Sequence, residues 1–134
     1  MRAMFSGCVW LKSVDLSNFI TNNATDMSYM FRFCGSLEVL DLSSFNTNNV
    51  INMSFMFTRC SSLIIIQMYN FNTNNVKDMS SMFYECNSLD EIHISNFIIN
   101  KKTHVKKMFR GCPNRFITKI KSQIKNIKDE AFNE

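Results

Sequence analysis

Apolar residues recur along this chain with a period far longer than that of a helix or a strand. Met4, Met30, Met56, Met82 and Met108 lie 26 residues apart, and so do Phe5, Phe31, Phe57, Phe83 and Phe109. Cys8, Cys34, Cys60, Cys86 and Cys112 keep the same step. Further columns are Leu11, Leu37, Leu63, Leu89, then Val14, Leu40, Ile66, Ile92, then Leu16, Leu42, Met68, Ile94, and then Phe19, Phe45, Phe71, Phe97. Asn22, Asn48, Asn74 and Asn100 form a polar column in the same phase. A fixed period of this length marks a stack of equivalent structural units, none of which buries its apolar face alone.

Two elements are predicted inside each unit. In Leu37-Glu38-Val39-Leu40-Asp41-Leu42 the apolar positions alternate after a turn, which predicts a short strand with Asp41 pointing outward. In Met27-Ser28-Tyr29-Met30-Phe31-Arg32-Phe33-Cys34 the apolar positions are spaced i, i+3, i+4, i+7. That spacing predicts a short α-helix or 3₁₀ turn, with Asp26, Asn52 and Asp78 as N-caps. The Met and Phe columns then read as core, phenylalanine filling volume and methionine adapting around it. The Asn column reads as stacked amides that bond along the axis and satisfy turn backbone.

The best-preserved unit reads Met27-Ser-x-Met-Phe-x-x-Cys-x-Ser-Leu-x-x-Leu-Asp-Leu-Ser-x-Phe-Asn-Thr-Asn-Asn-Val. It resembles the repeat of the BspA-type leucine-rich-repeat surface proteins over roughly residues 1–112. The fourth copy departs from the pattern after Phe97, where Ile98-Ile99 replace Asn-Thr and Lys102 replaces the valine. The expected fold is therefore an α/β repeat solenoid, a leucine-rich-repeat-like right-handed coil. It has about four turns over 1–112, one short parallel strand and one short helix or 3₁₀ turn per turn. The resemblance implies surface display or secretion, and adhesion to a host or neighbouring cell through a protein partner. A cytoplasmic scaffold using the same surface is the alternative.

Residues 113–134 leave the repeat. Phe116, Ile120, Ile124, Ile127 and Ala131 recur every three or four positions, which predicts an amphipathic helix capping the end of the stack. The other end is uncapped, because Met1-Arg2-Ala3-Met4-Phe5 aligns with Met27-Ser28-Tyr29-Met30-Phe31. The chain thus begins inside a unit. That predicts a fragment of a longer array, or an open apolar face suited to end-to-end association.

Charge divides along the chain. Residues 1–100 carry 5 Lys/Arg against 8 Asp/Glu, and residues 101–134 carry 10 against 3. The basic segment leaves open a contact with nucleic acid or an anionic membrane, although Lys119, Lys121, Lys125 and Lys128 read first as the solvated face of the cap. With 46% hydrophobic and 19% charged residues the composition is that of a folding chain. No run approaches the about 18 apolar residues of a membrane span, and the N-terminus has no apolar core of a signal peptide.

Five cysteines at one repeat position cannot close a full set of disulfides. They are expected as a file of buried free thiols. A file does not converge as a tetrahedral metal site requires, so no metal or cofactor is expected. No nucleophile–base pair, carboxylate pair or phosphate loop is evident, so neither catalysis nor a small-molecule substrate is expected. Binding should fall on outward strand positions. The third unit stands out, with Ile64, Ile65 and Tyr69 where its neighbours are polar. The candidate contact residues are Val39, Asp41, Ile64, Ile65, Gln67, Tyr69, Glu91 and His93, with Glu38 and Asp90 on the rim. Ser17, Ser43, Tyr69 and Ser95 form the outermost column.

Overall fold

The structure is a computed structural model that describes residues 1–94, 97–125 and 127–133. Ser95 of the outermost column lies outside the described residues. Three short strands, β1 (Val39–Asp41), β2 (Ile65–Met68) and β3 (Glu91–Ile94), form one parallel sheet in the order β1-β2-β3. Val39 pairs with Ile65, and Ile65 with Glu91, so each strand is offset from the next by one repeat. Leu40, Ile66 and Ile92 point inward and are buried. The first repeat was also expected to supply a strand, but the segment around Ser13-Val14-Asp15 has none. It has a neighbour on one side only. Side chains tie it there, Ser36 Oγ donating to the Val9 carbonyl (2.7 Å) and Ser44 Oγ to that of Leu16 (3.0 Å).

On the opposite edge of each repeat, where a short helix or 3₁₀ turn was expected, the backbone forms i→i−3 turns without a continuous helix. Residues 27–34 form overlapping turns, and hydrogen bonds alternate between two destinations. Met30, Arg32 and Cys34 N–H groups bond three residues back, to Met27, Tyr29 and Phe31. Met27, Tyr29, Phe31 and Phe33 N–H groups bond across to the next repeat, to the carbonyls of Asn52, Ser54, Met56 and Thr58. Tyr29 and Phe33 have φ of 61° and 63°, which no right-handed helix contains. The same two positions are left-handed in every repeat: Ala3, Tyr29, Phe55, Ser81, Lys107, and Gly7, Phe33, Arg59, Glu85, Gly111. The apolar stripe is nonetheless buried, because overlapping turns place residues 27, 30, 31 and 34 on one side as a helix would. Asp26, Asn52 and Asp78 cap turns instead of helices, each carboxylate or amide oxygen accepting from the N–H two residues on. Their backbones pair in parallel, repeat to repeat and on to His104.

Between these two edges the apolar columns stack. Phe5, Phe31, Phe57, Phe83 and Phe109 form a ladder of near-parallel rings with centroids 5.2, 5.8, 5.2 and 5.3 Å apart. Phe19, Phe45 and Phe71 form a second ladder, spaced 6.3 and 6.5 Å. Along the polar column side-chain amides bond from repeat to repeat, mostly to turn backbone, with Asn72 Nδ2 also donating to Asn48 Oδ1 at 3.0 Å. Asn49 and Asn75 Nδ2 donate to the backbone carbonyls of Asn22 and Asn48, and Asn100 Nδ2 to that of Asn74. The buried polar column is threonine: Thr21, Thr47 and Thr73 each bridge both backbone groups of a residue in the next repeat.

The thiols are free, and four of the five are buried. Cys34, Cys60, Cys86 and Cys112 each donate to a phenylalanine carbonyl one repeat back, at 3.0–3.2 Å. Cys8, expected in the buried file, is exposed, since no earlier layer covers it. Burial pushes Cys34 up to about 11 and Cys112 to about 12, and raises Cys60 and Cys86 as well. The thiolate is the reactive form. At neutral pH a thiol-reactive dye is expected to label Cys8 alone in the folded chain, and all five thiols after unfolding. Rapid native labelling at a second position would contradict the buried file.

At the C-terminal end α1 (Asn114–Gln123) buries Phe116 and Ile120, and Phe116 meets Phe109 of the ladder with centroids 5.8 Å apart. The helix is shorter than the 113–134 segment predicted. Ile124 is extended, and a 3₁₀ turn at Asp129–Ala131 returns to the stack. There Glu130 and Ala131 carbonyls accept from Lys107 and Phe109 N–H groups, at 2.7 Å each. These bonds satisfy donors that the last repeat would otherwise leave open, which favours the return over continued helix.

Candidate binding faces

The sheet brings the predicted strand-face residues together. Register rows are Val39, Ile65, Glu91 and Asp41, Gln67, His93, with Ile64 and Tyr69 flanking β2. Val39, Ile64 and Tyr69 are 50%, 39% and 44% exposed, while Ile65, Gln67 and His93 are half-buried. The Tyr69 hydroxyl lies 2.9 Å from His93 Nδ1, and His93 Nε2 is 3.3 Å from a Glu91 oxygen. This chain of three polar groups fixes one margin of the apolar patch. On the other margin Asp41 is exposed but engaged, accepting from the Ser43 N–H at 2.8 Å. Hydrogen bonds from Ser43 hold the Asp41 carboxyl below its ordinary value.

Asp90, expected as open rim, serves another purpose. Lys119 Nζ (2.9 Å) and Arg115 Nε (3.2 Å) converge on one of its oxygens, so it pins α1 beside β3. The Lys119 hydrogen bond, with help from the Arg115 charge, lowers its pKa. The helix reaches the Asp90–His93 edge through Phe116, Lys119 and Gln123. Ile64 and Tyr69 stay exposed.

A second face was not foreseen. On the edge built from turns, the residues between the repeated apolar columns include aromatic and basic side chains. Tyr29 and Phe55 rings stack at 5.0 Å and 3°. Arg32 lies over Phe33 at 4.3 Å and over Tyr29 at 5.5 Å, and Arg2 over Tyr29 at 5.4 Å. Arg59 pairs with Glu85 at 2.6 Å. The Tyr84 hydroxyl, then Arg59, hold the Glu85 carboxyl below its ordinary value. These positions vary from repeat to repeat, so column analysis passes over them; reading them as a column of their own would have exposed the pattern.

Among the described residues no group of three or more His, Cys, Asp and Glu side chains is placed to hold a metal ion. No helix among them is long and apolar enough to cross a membrane. Neither a curated protein nor a solved structure matches the chain. A family model described as "Mycoplasma protein of unknown function, DUF285" matches residues 1–68. That match spans just over half of the 134 residues, and the chain belongs to the DUF285 repeat family.

Proposed function

We propose that the chain is a leucine-rich-repeat-like solenoid that binds a protein partner through its strand face, as a non-catalytic module of a surface or adhesion protein. The observation that carries this reading is the patch of Val39, Ile64 and Tyr69, exposed on a hydrogen-bonded sheet and bordered by Glu91 and His93. Exposed apolar side chains framed by polar groups are the usual makings of an interface, and tyrosine is a favourable anchor. The parallel one-repeat register and the alternation along each strand support the leucine-rich-repeat reading. Membership of the DUF285 family and the Met-Ser-x-Met-Phe-x-x-Cys unit support kinship with BspA-type surface proteins.

The test is adherence. Beads carrying the chain are expected to attach to animal-cell monolayers. Ile64→Glu combined with Tyr69→Ala is expected to lower attachment about tenfold, the effect of losing one interface anchor. Both side chains are exposed, so the fold should survive. Equal attachment by the folded double variant would dismiss the strand face as the contact.

A further inference from the structure

A left-handed backbone suits glycine and burdens residues with side chains. Gly7 and Gly111 show that glycine fits one of the two left-handed columns, yet Phe33, Arg59 and Glu85 occupy it elsewhere. The other column holds Ala3, Tyr29, Phe55, Ser81 and Lys107. Strain retained for the sake of particular side chains points to a use for them.

The geometry indicates what that use is. The Tyr29 and Phe55 rings are coplanar to 3° and 5.0 Å apart. Ser81 comes next in the column, with a side chain too short to continue the stack, and Lys107 follows. A cleft of about 500 Å³ opens here, lined by Phe55, Ser81, Tyr84, Arg59, Lys106 and Lys107 among others. Two layers at about 4.8 Å separate Phe55 from Lys107. A flat ring in van der Waals contact with both walls needs roughly 7–8 Å. One ring fits, in line with the existing stack.

Charge completes the description. Arg32, Arg59, Lys106 and Lys107 line the cleft, and the carboxylate at its margin, Glu85, is held by Arg59 at 2.6 Å. Among the described residues, Arg32 Nε is a buried nitrogen with no hydrogen-bond partner. The strand face carries Asp15, Glu38, Asp41 and Glu91, whereas the turn edge sets Asp26, Asp78 and Glu85 against Arg2, Arg32, Arg59, Lys106, Lys107 and Arg110 and is basic on balance. Basic residues also continue past the cleft, Arg2 over Tyr29 on one side and Arg110 over Tyr84 on the other.

We propose that this edge binds single-stranded nucleic acid, one base entering the gap that Ser81 leaves beside Phe55 and flanking phosphates meeting Arg59, Lys106 and Lys107. Stacking on aromatic rings joined to a basic track is how sequence-tolerant single-strand binding works. A polyacidic peptide without aromatic side chains would use the cations but not a slot the width of one ring. The run of cations beyond the cleft selects a strand over a free nucleotide.

Fluorescence anisotropy of a labelled 12-mer of deoxythymidylate with the full chain tests the proposal. Binding is expected at 50 mM salt, weakening steeply by 200 mM as counterions are released. Ser81→Tyr should fill the gap with a third ring. Ser81 is the floor of the cleft, 7% exposed. Its backbone has the conformation in which Tyr29 already carries a tyrosine (φ 55° against 61°), so the added ring has the backbone to rise into the cleft. Circular dichroism checks that the variant is folded. It should weaken binding about tenfold or more, the loss of one stacked base. Arg59→Glu, on an exposed side chain, should also weaken it, whereas the Ile64→Glu, Tyr69→Ala pair should leave it unchanged. The proposal is overturned by any of four results: no binding of the 12-mer at 50 mM salt, equal binding by folded Ser81→Tyr or Arg59→Glu, binding of heparin or polyglutamate as tight as that of the 12-mer, or thymidine monophosphate competing at the 12-mer's own concentration.

Discussion

Phe57→Ala is expected to destabilise the chain by about 3–5 kcal/mol, the range for removing a buried aromatic ring. Phe57 is fully buried and has a stacked ring on each side, Phe31 at 5.8 Å and Phe83 at 5.2 Å. Its neighbours cannot close the resulting cavity easily. Each sits in a layer fixed by backbone bonds to the next, such as Phe57 N–H to the Met82 carbonyl at 2.8 Å. With total stabilities of about 5–15 kcal/mol for such domains, the loss is a large share of the whole. Phe5→Ala, at the half-buried start of the same ladder, should cost only about 1 kcal/mol. Urea unfolding of both variants measures the difference. Equal costs would show that the ladder's continuity adds nothing to the burial of each ring.

Thr47→Val is the second large effect, expected at about 2–4 kcal/mol although volume is conserved. Thr47 Oγ1 accepts from the Asn72 N–H at 2.8 Å and donates to the Asn72 carbonyl at 3.0 Å. Thr47 is fully buried. Valine would leave the N–H and carbonyl of half-buried Asn72 without this partner, at roughly 1–2 kcal/mol each. Thr47→Ser keeps the oxygen and loses one methyl, worth about 0.8 kcal/mol. The expected order of stability is wild type, serine, valine. A valine variant as stable as the serine one would remove the threonine column from the forces joining one repeat to the next.

Much of this architecture was legible before any coordinates. The Met, Phe, Cys and Leu columns name the core almost residue by residue, because a repeated side chain in a stack meets copies of itself. The strand register followed from the same period, and outward positions such as Val39, Ile65 and Glu91 were assigned to one face by alternation alone. What failed was local. A stripe at residues 27, 30, 31 and 34 is compatible with a helix and with overlapping turns, and apolar periodicity does not report φ. The asparagine column was read as structural amides, but the buried hydroxyls of Thr47 and its equivalents, which bridge the same turns from inside the stack, were not read at all. Asp90 read as rim until α1 folded back to place Lys119 against it.

The period of 26 residues, the identity of the interior and the existence of an end segment unlike the repeats were determined by the sequence alone. They depend on which side chains avoid water, and that is a property of composition and spacing. The backbone hand at Tyr29 and Phe33, the return of residues 129–131 to the last layer and the basic aromatic edge were decided only by tertiary structure. Each depends on where a neighbouring layer offers its carbonyl and N–H groups, and a single repeat read in isolation contains no record of its neighbour's position.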